Sequence, residues 1–223
     1  RGAIRVDGGM LIPRTSNALG PETTSLTLRG GKLFLPGVTL TQPITVERDA
    51  RIWLGGPSTL VGGITIADAA TLTVDSGGGN RLTLDCTVTG GGTLRVLGAA
   101  NATTPIALAG SCRVAESVRF ELAGPGRVVL SAEGHDVTLG TAAIATDTVL
   151  RCSDGSDLTR FAPCADESWT GTLIIEAWRY DTDRITFGSD RSALTSAQLA
   201  RTGFRDPAGQ APGLLRATLR DDG

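Results

Sequence analysis

The chain has 223 residues, a net charge of −2 and a pI near 5.5, with 40% hydrophobic and only 4% aromatic residues. This charge balance gives no electrostatic reason to expect nucleic acid or an anionic membrane as a partner. No apolar run is long enough to cross a bilayer, because Gly, Thr or a charged residue interrupts every stretch. The few aromatic residues leave Val, Ile and Leu to fill the core, which favours thin, repetitive β-structure.

The first 24 residues contain two strand-like segments, AIRV and MLI, that do not follow the spacing of the rest of the chain. Because the end of a repetitive sheet exposes unpaired backbone groups, we interpret residues 1–24 as an N-terminal arm or cap. The arm either lies across its own first repeat or adds a strand to a neighbouring subunit. The residues assigned to such an assembly contact are Ile4, Val6, Met10, Leu11 and Ile12.

Residues 25–150 repeat a short apolar-x-apolar pattern at an interval near twenty residues, with Gly, Pro, Asn or Asp between the segments. A regular interval of this size is typical of a β-solenoid, and a helical periodicity is absent. We therefore predict an all-β solenoid with Val, Ile and Leu inside and Thr, Arg and Asp outside. One buried ladder is predicted to contain Ile44, Ile64, Leu82, Ile106 and Val128.

The pattern changes near residue 151, and we interpret residues 151–223 as a C-terminal capping module of β-strands and one short helix. The stretch 169–188 predicts two strands joined by a charged turn. The stretch 192–204 predicts an amphipathic helix, with Ser192 or Thr195 as its N-cap and Gly203 at its end.

The four cysteines allow three complete pairings, and their spacing matches no zinc motif of the CxxC type. Cys86 and Cys112 are 26 residues apart, about one coil, so they can sit on stacked turns at a separation that suits a disulfide. Cys152 and Cys164 bracket a loop that a second disulfide can close. We predict both bonds, with buried free thiols as the alternative, and the oxidised form implies export.

The sequence assigns no catalytic, cofactor-binding or metal-binding residue. His135 is the only histidine, and it is predicted to be a solvated turn residue without a nucleophile beside it. The nearest candidates for a Ca²⁺ site or a pair of catalytic carboxylates are Asp154 with Asp157, and Asp181 with Asp183. The Asp-Gly-Ser-Asp segment at 154–157, in a glycine-rich loop, more often forms an Asx-turn than a set of ligands.

Three segments stand out near the C-terminus: SWTGTLIIEAW (168–178), DRITFG (183–188) and LTSAQLARTGFRDPAG (194–209). They resemble the C-terminal module of exported bacterial proteins that contain autotransporter-associated β-strand repeats, a module that often precedes a PEP-type sorting signal. The strand, glycine turn and strand of LTLRGGKLFL and LDCTVTGGGTLRVLG are similar to the repeats of that family. The resemblance implies a right-handed parallel β-helix at the cell surface, with passenger, adhesive or matrix roles.

The sequence thus predicts a secreted or cell-surface, noncatalytic structural β-solenoid that needs no cofactor and acts as a passenger, an adhesin or a subunit of an extracellular fibre or matrix. The expected partners are further copies of the chain, through the arm or the solenoid ends, and surface glycans. Two alternatives stay open. A carbohydrate-active β-helix enzyme would show a lateral groove with converging acids, and a glycan-binding stalk would show exposed aromatic platforms.

Overall fold

A computed structural model describes residues 2–76, 79–99, 106–152, 157–179, 182–205 and 215–216. Nearly all of them belong to short strands that stack into three sheets, and the pairings between consecutive coils are parallel. The molecule is therefore a β-solenoid, as the sequence predicts, with very little helix among the described residues.

The strands, in chain order, are β1 (Ala3–Val6), β2 (Met10–Leu11), β3 (Ser25–Arg29), β4 (Lys32–Pro36), β5 (Thr39–Leu40), β6 (Ile44–Arg48), β7 (Ala50–Gly56), β8 (Ser58–Leu60), β9 (Ile64–Ile66), β10 (Thr71–Asp75), β11 (Leu82–Leu84), β12 (Thr87–Gly90), β13 (Thr93–Leu97), β14 (Ile106–Leu108), β15 (Arg113–Val114), β16 (Arg119–Ala123), β17 (Val128–Ser131), β18 (Asp136–Leu139), β19 (Thr141–Ile144), β20 (Thr148–Arg151), β21 (Leu158–Phe161), β22 (Leu173–Glu176), β23 (Arg184–Phe187), β24 (Thr202–Arg205) and β25 (Leu215–Arg216). Sheet A has the order β1-β3-β6-β9-β12-β15-β18-β21-β23. Sheet B has the order β2-β4-β7-β10-β13-β16-β19, and sheet C has the order β5-β8-β11-β14-β17-β20-β22-β24-β25.

Alternation along each strand explains why these segments form half-buried strands. In β3, Leu26 and Leu28 are completely buried, whereas Ser25, Thr27 and Arg29 are only partly so. Successive side chains of a strand point to opposite faces, so every second residue enters the interior. The three sheets share one core of stacked aliphatic side chains, which keeps the cross-section narrow.

The register of sheet A defines its main buried ladder: Leu26, Ile44, Ile64, Val88 and Val114, with the partly buried Ile4 beside Leu26 at its end. The predicted single ladder is wrong, because Ile44 and Ile64 belong to sheet A, whereas Leu82, Ile106 and Val128 belong to sheet C. All five are buried in the same core. The coils differ in length: Leu26 and Ile44 are register partners 18 residues apart, whereas Ile64 and Val88 are 24 apart. An interval near twenty residues therefore passes from sheet A into sheet C.

Ion pairs between neighbouring strands lie on the outer faces. On sheet B, Glu121 pairs with Arg95 at 3.0 Å and with Arg119 at 2.8 Å, and Arg119 also reaches Glu167 at 3.0 Å. Partly exposed pairs of this kind each contribute about 0–1 kcal/mol. Their main effect is to favour one register between neighbouring strands, and their contribution to the free energy of folding is small.

The N-terminal residues form the first coil of the solenoid. Strand β1 pairs with β3 and strand β2 with β4, both in parallel. The connection that follows covers the end of sheet C, where Ser16 Oγ accepts a hydrogen bond from Thr39 N at 3.1 Å and Gln42 Nε2 donates to Gly20 O at 2.7 Å. In this structure the arm therefore lies across its own chain.

The C-terminal cap contains a four-residue helix, α1 (Ser196–Leu199), behind a 3₁₀ turn at Arg191–Ala193. Thr195 is the N-cap: its Oγ1 accepts from Gln198 N at 3.2 Å, and Gln198 Oε1 accepts from Thr195 N at 2.7 Å. The predicted helix over 192–204 is wrong in extent. Residues 202–205 form β24 because the edge of β22 offers them a parallel partner, and Gly203 lies inside that strand.

Buried polar contacts join the cap to the last coils. Gln198 Nε2 donates to Cys164 O at 2.6 Å and to Glu167 O at 2.7 Å. Trp169 Nε1 donates to Ala142 O at 2.9 Å in β19, the last strand of sheet B. The two strands predicted within 169–188 are β22 and β23, and they lie in sheets C and A rather than in one hairpin.

Candidate functional site

The five residues assigned to assembly divide between the core and the surface of the first coil. Val6 is buried, and Ile4 and Leu11 are partly buried against the core. Met10 is 46% exposed and Ile12 is 43% exposed. The N-terminal end of the solenoid therefore presents apolar side chains to solvent beside β1 and β2, which are the terminal strands of sheets A and B in the described part of the chain.

The hydrogen bonds of β1 show which backbone groups remain available. Ser25 N donates to Gly2 O at 3.2 Å, and Ser25 is the register partner of Ala3. In a parallel ladder this pattern directs the amides of alternate residues to opposite sides. The N–H groups of Ala3 and Arg5 consequently point away from β3, and no described strand lies on that side of β1. This edge can accept a further strand.

Cys86 and Cys112 occupy matching positions on consecutive coils. They immediately precede the paired residues Thr87 and Arg113, and Arg113 N donates to Cys86 O at 3.2 Å. Both thiols are free and buried. Burial raises the pKa of each thiol to about 12, and the neighbouring Cys86 sulfur also raises the pKa of Cys112. Both thiols are therefore protonated at neutral pH.

Cys152 and Cys164 are also free and buried, and different groups surround them. The Cys164 sulfur accepts from Ala142 N at 3.2 Å and donates to Ala162 O at 3.0 Å. Cys152 instead lies beside the buried carboxylates of Asp157 and Asp183. Burial raises the pKa of both thiols to about 12. A Cys152–Cys164 disulfide stays a prediction.

We expect oxidation of the native protein to join Cys86 to Cys112, since equivalent positions on stacked strands are about 4.8 Å apart. Mass spectrometry without reductant should show a linked peptide that contains both residues, at the mass of two hydrogens less than the reduced pair. The Cys112→Ala variant should lose this linkage. Oxidised material in which both thiols still react with an alkylating reagent after unfolding would contradict the prediction.

One acid from each predicted pair enters a buried cluster. Cys152 Sγ and carboxylate oxygens of Asp157 and Asp183 lie within 4.8 Å of one another, and both aspartates are almost fully buried. Asp157 Oδ1 accepts from Gly134 N at 2.5 Å. Asp183 accepts from Asp157 N at 3.2 Å and from Arg179 N at 2.6 Å. These bonds tie neighbouring coils together, which is a structural use of the carboxylates.

Other candidates from the sequence are separate from this cluster or lie outside the described residues. Asp154 and Asp181 are not among the residues that the structure describes. His135 is exposed in a turn closed by a bond from its backbone N–H to Ala132 O at 3.1 Å, and its ring faces Gly110. That position agrees with the predicted solvated turn.

Sheet B carries a surface patch that the sequence interpretation missed. Strands β4 and β7 place Lys32 beside Arg51 and Phe34 beside Trp53 on the outer face. We call these four residues the cation–aromatic patch. The signal was present in the sequence, since KLFL at 32–35 recurs as RIWL at 51–54. An open depression of about 630 Å³ adjoins it.

Three comparisons with known proteins find no counterpart of this solenoid: no family model, no curated protein and no solved structure matches the chain. Within the described ranges, no helix combines the length and the apolar content that crossing a membrane requires.

Proposed function

We propose that this protein is a secreted or cell-surface structural β-solenoid, noncatalytic, that acts as a passenger or adhesin, or as a subunit of an extracellular fibre or matrix. Stacked coils with one shared core support a rod-like spacer role, because each coil needs only its neighbours for stability. The resemblance of the C-terminal segments to exported bacterial proteins supports the surface location.

The proposal that the chain self-assembles depends on a difference between the N-terminal and C-terminal ends of the solenoid. At the C-terminal end, Trp169, Leu194 and Gln198 are buried in a cap that is hydrogen-bonded to β19, the last strand of sheet B, whereas β23 ends sheet A with no further described strand beside it. At the N-terminal end, β1 has a single described neighbour, and Met10 and Ile12 are exposed. An unprotected edge strand with apolar neighbours is a template for strand addition.

A head-to-tail contact is one geometry that would use this edge. Strands β1 and β23 are the two terminal strands of sheet A, and each has four residues. Adding β1 of one copy to β23 of another would continue sheet A in the same direction. Such a contact is heterologous, and it propagates into a filament when the rotation does not close.

We expect the Arg5→Pro variant to lose self-association. Proline removes an N–H that points away from β3, so it blocks strand addition and leaves the β1–β3 ladder intact. Sedimentation velocity should show assemblies for the unmodified chain and monomers for Arg5→Pro. Electron microscopy of the same samples should show filaments only for the unmodified chain.

The Arg5→Ala variant is the matched control, because it removes the same side chain and the same exposed ion pair with Asp7 but keeps the amide. It should assemble like the unmodified chain. Circular dichroism of both variants checks that the solenoid is folded. The assembly role would be refuted by a protein that sediments as a monomer throughout, or by equal assembly of Arg5→Pro and Arg5→Ala.

The enzymatic alternative needs carboxylates that converge on a lateral groove. The depression on sheet B is lined by one carboxylate, Asp49, together with Lys32 and Arg51. Asp49 Oδ1 accepts from Thr71 N at 2.8 Å, which engages it in the connection between coils. This lining is more typical of binding than of acid–base chemistry.

A further inference from the structure

We infer that the cation–aromatic patch on sheet B binds oligosaccharides that contain uronic acids. The patch lies on the side of the solenoid, and both of its strands have neighbours on each side in sheet B. Met10 of the edge strand β2 borders its Lys32 side, whereas the edge of β1 that the Arg5→Pro variant tests belongs to sheet A.

The aromatic half of the patch is a preorganised platform. The rings of Phe34 and Trp53 meet edge to face, with centroids 5.6 Å apart and planes at 81°. A side chain at Gly55 would collide with the Phe34 ring, so the absence of a Cβ there lets the ring lie close to the backbone. Trp53 is 40% exposed, in contrast to Trp169, which is 6% exposed. An exposed indole held in place can stack on the C–H face of a sugar ring.

The charged half provides a cation for a carboxylate. Lys32 is exposed and has no ion-pair partner among the residues that the structure describes. Arg51 pairs with Asp75, and its Nε is buried without a hydrogen-bond acceptor in the described part of the chain. The acids that face the patch are Asp49 and Asp75, which are engaged by Thr71 N and by Arg51 respectively. Lys32 is the charge left for a ligand.

The spacing of the patch suits an oligosaccharide in which a ring that can stack on an indole is followed by a ring that carries a carboxylate. Lys32 and Phe34 point outward from one strand, and Arg51 and Trp53 point outward from the next. Neighbouring strands are about 4.8 Å apart, a distance comparable to the length of one pyranose ring. A chain lying across the strands can therefore stack one ring on Trp53 while a uronate reaches Lys32. A neutral saccharide would form no ion pair with the exposed Lys32 ammonium group, which stays hydrated.

The test uses short hyaluronan and alginate oligosaccharides as probes, with their carboxyl-reduced forms as neutral controls. We expect the acidic oligomers to bind in isothermal titration calorimetry, Trp53→Ala to weaken binding about tenfold, and Lys32→Gln to weaken it about two- to fivefold because the ion pair is exposed. Lys32 is the only lysine, so acylation of its ε-amine is a site-specific readout. Bound oligosaccharide should slow this acylation in proportion to occupancy.

The control variants change similar chemistry elsewhere on the surface. Arg14→Gln removes an exposed cation from the N-terminal connection, and Val61→Ala trims an exposed apolar side chain on another face. Both should bind like the unmodified chain. The Arg5→Pro variant should also bind normally, which separates this inference from the assembly role. The inference is overturned if neither acidic oligomer binds, if the reduced forms bind equally well, or if Lys32→Gln and Trp53→Ala have no effect.

Discussion

Replacing Gly90 by alanine is expected to destabilise the protein by about 4 kcal/mol or more. Gly90 adopts a φ of +109°, a conformation that L side chains rarely adopt, where it ends β12. A Cβ at this position would collide with the backbone oxygen of Ile66 in the coil below. Backbone strain and overpacking each cost about 1–3 kcal/mol, and the clashing atom is main chain that cannot rotate away.

Two further glycines separate these two costs. Gly8 has an ordinary φ, and no described atom lies within 4 Å of the point where a Cβ would stand, so Gly8→Ala should change the stability little. Gly79 has a φ of +116° but an equally open environment, so Gly79→Ala should cost about 1–3 kcal/mol. The free energy of unfolding, from denaturant titrations of the three variants, is the measurement. Equal stability of Gly90→Ala and Gly8→Ala would show that the coils are not stacked in this register.

The second large effect concerns the thiols of the reduced protein, which should react with an alkylating reagent about a thousandfold more slowly in the folded state than after unfolding. Burial raises the pKa of Cys86, Cys112, Cys152 and Cys164 from 9.0 to about 12. Only the thiolate is the nucleophile, so a rise of this size lowers the reactive fraction near pH 8 by about three orders of magnitude. Labelling with and without denaturant, followed by mass spectrometry, measures the ratio.

The same shifts predict the pH dependence of stability. A folded-state pKa above the unfolded value means that the folded protein retains its protons when the unfolded chain loses them. The contribution of the thiols is therefore complete below about pH 9 and is lost as the pH rises from 9 towards 12. A variant with all four cysteines replaced by alanine should show a shallower fall over this range. Rapid labelling of every thiol in the folded protein would contradict the burial on which both predictions depend.

The solenoid could be predicted from the sequence because the patterns that indicate it extend over only a few residues each. Alternating segments such as SLTLR in β3 indicate strands buried on one face, and glycines between them indicate turns. The same local evidence could not assign strands to sheets. Ile64 and Leu82 have similar neighbours in the sequence, yet they lie in sheets A and C. That assignment depends on the length of each coil, which only the stacked register shows.

The residues of the candidate sites could also be recognised in the sequence, but their neighbours could not. The four cysteines and the aspartates are visible in the sequence, but the sequence pairs Asp157 with Asp154 and Asp183 with Asp181, whereas the structure joins Asp157 to Asp183. Residues one coil apart become neighbours through parallel stacking, and proximity in the chain does not report this. The cation–aromatic patch shows the same limit, because Lys32 and Trp53 become one surface only when β4 and β7 pair.

The sequence by itself determined the all-β character, the aliphatic core and the glycine turns, since alternation and turn chemistry act over a few residues. The tertiary structure decided the three-sheet division, the short extent of α1 and the partners of the buried polar groups. The helix illustrates the reason: Thr202 and Gly203 are poor helix formers, and β22 supplies backbone hydrogen bonds to residues 202–205 along a whole edge. Pairing with that edge satisfies the strand's polar groups and buries Thr202 and Gly203, so the long-range partner decides the structure where the local helix propensity is weak.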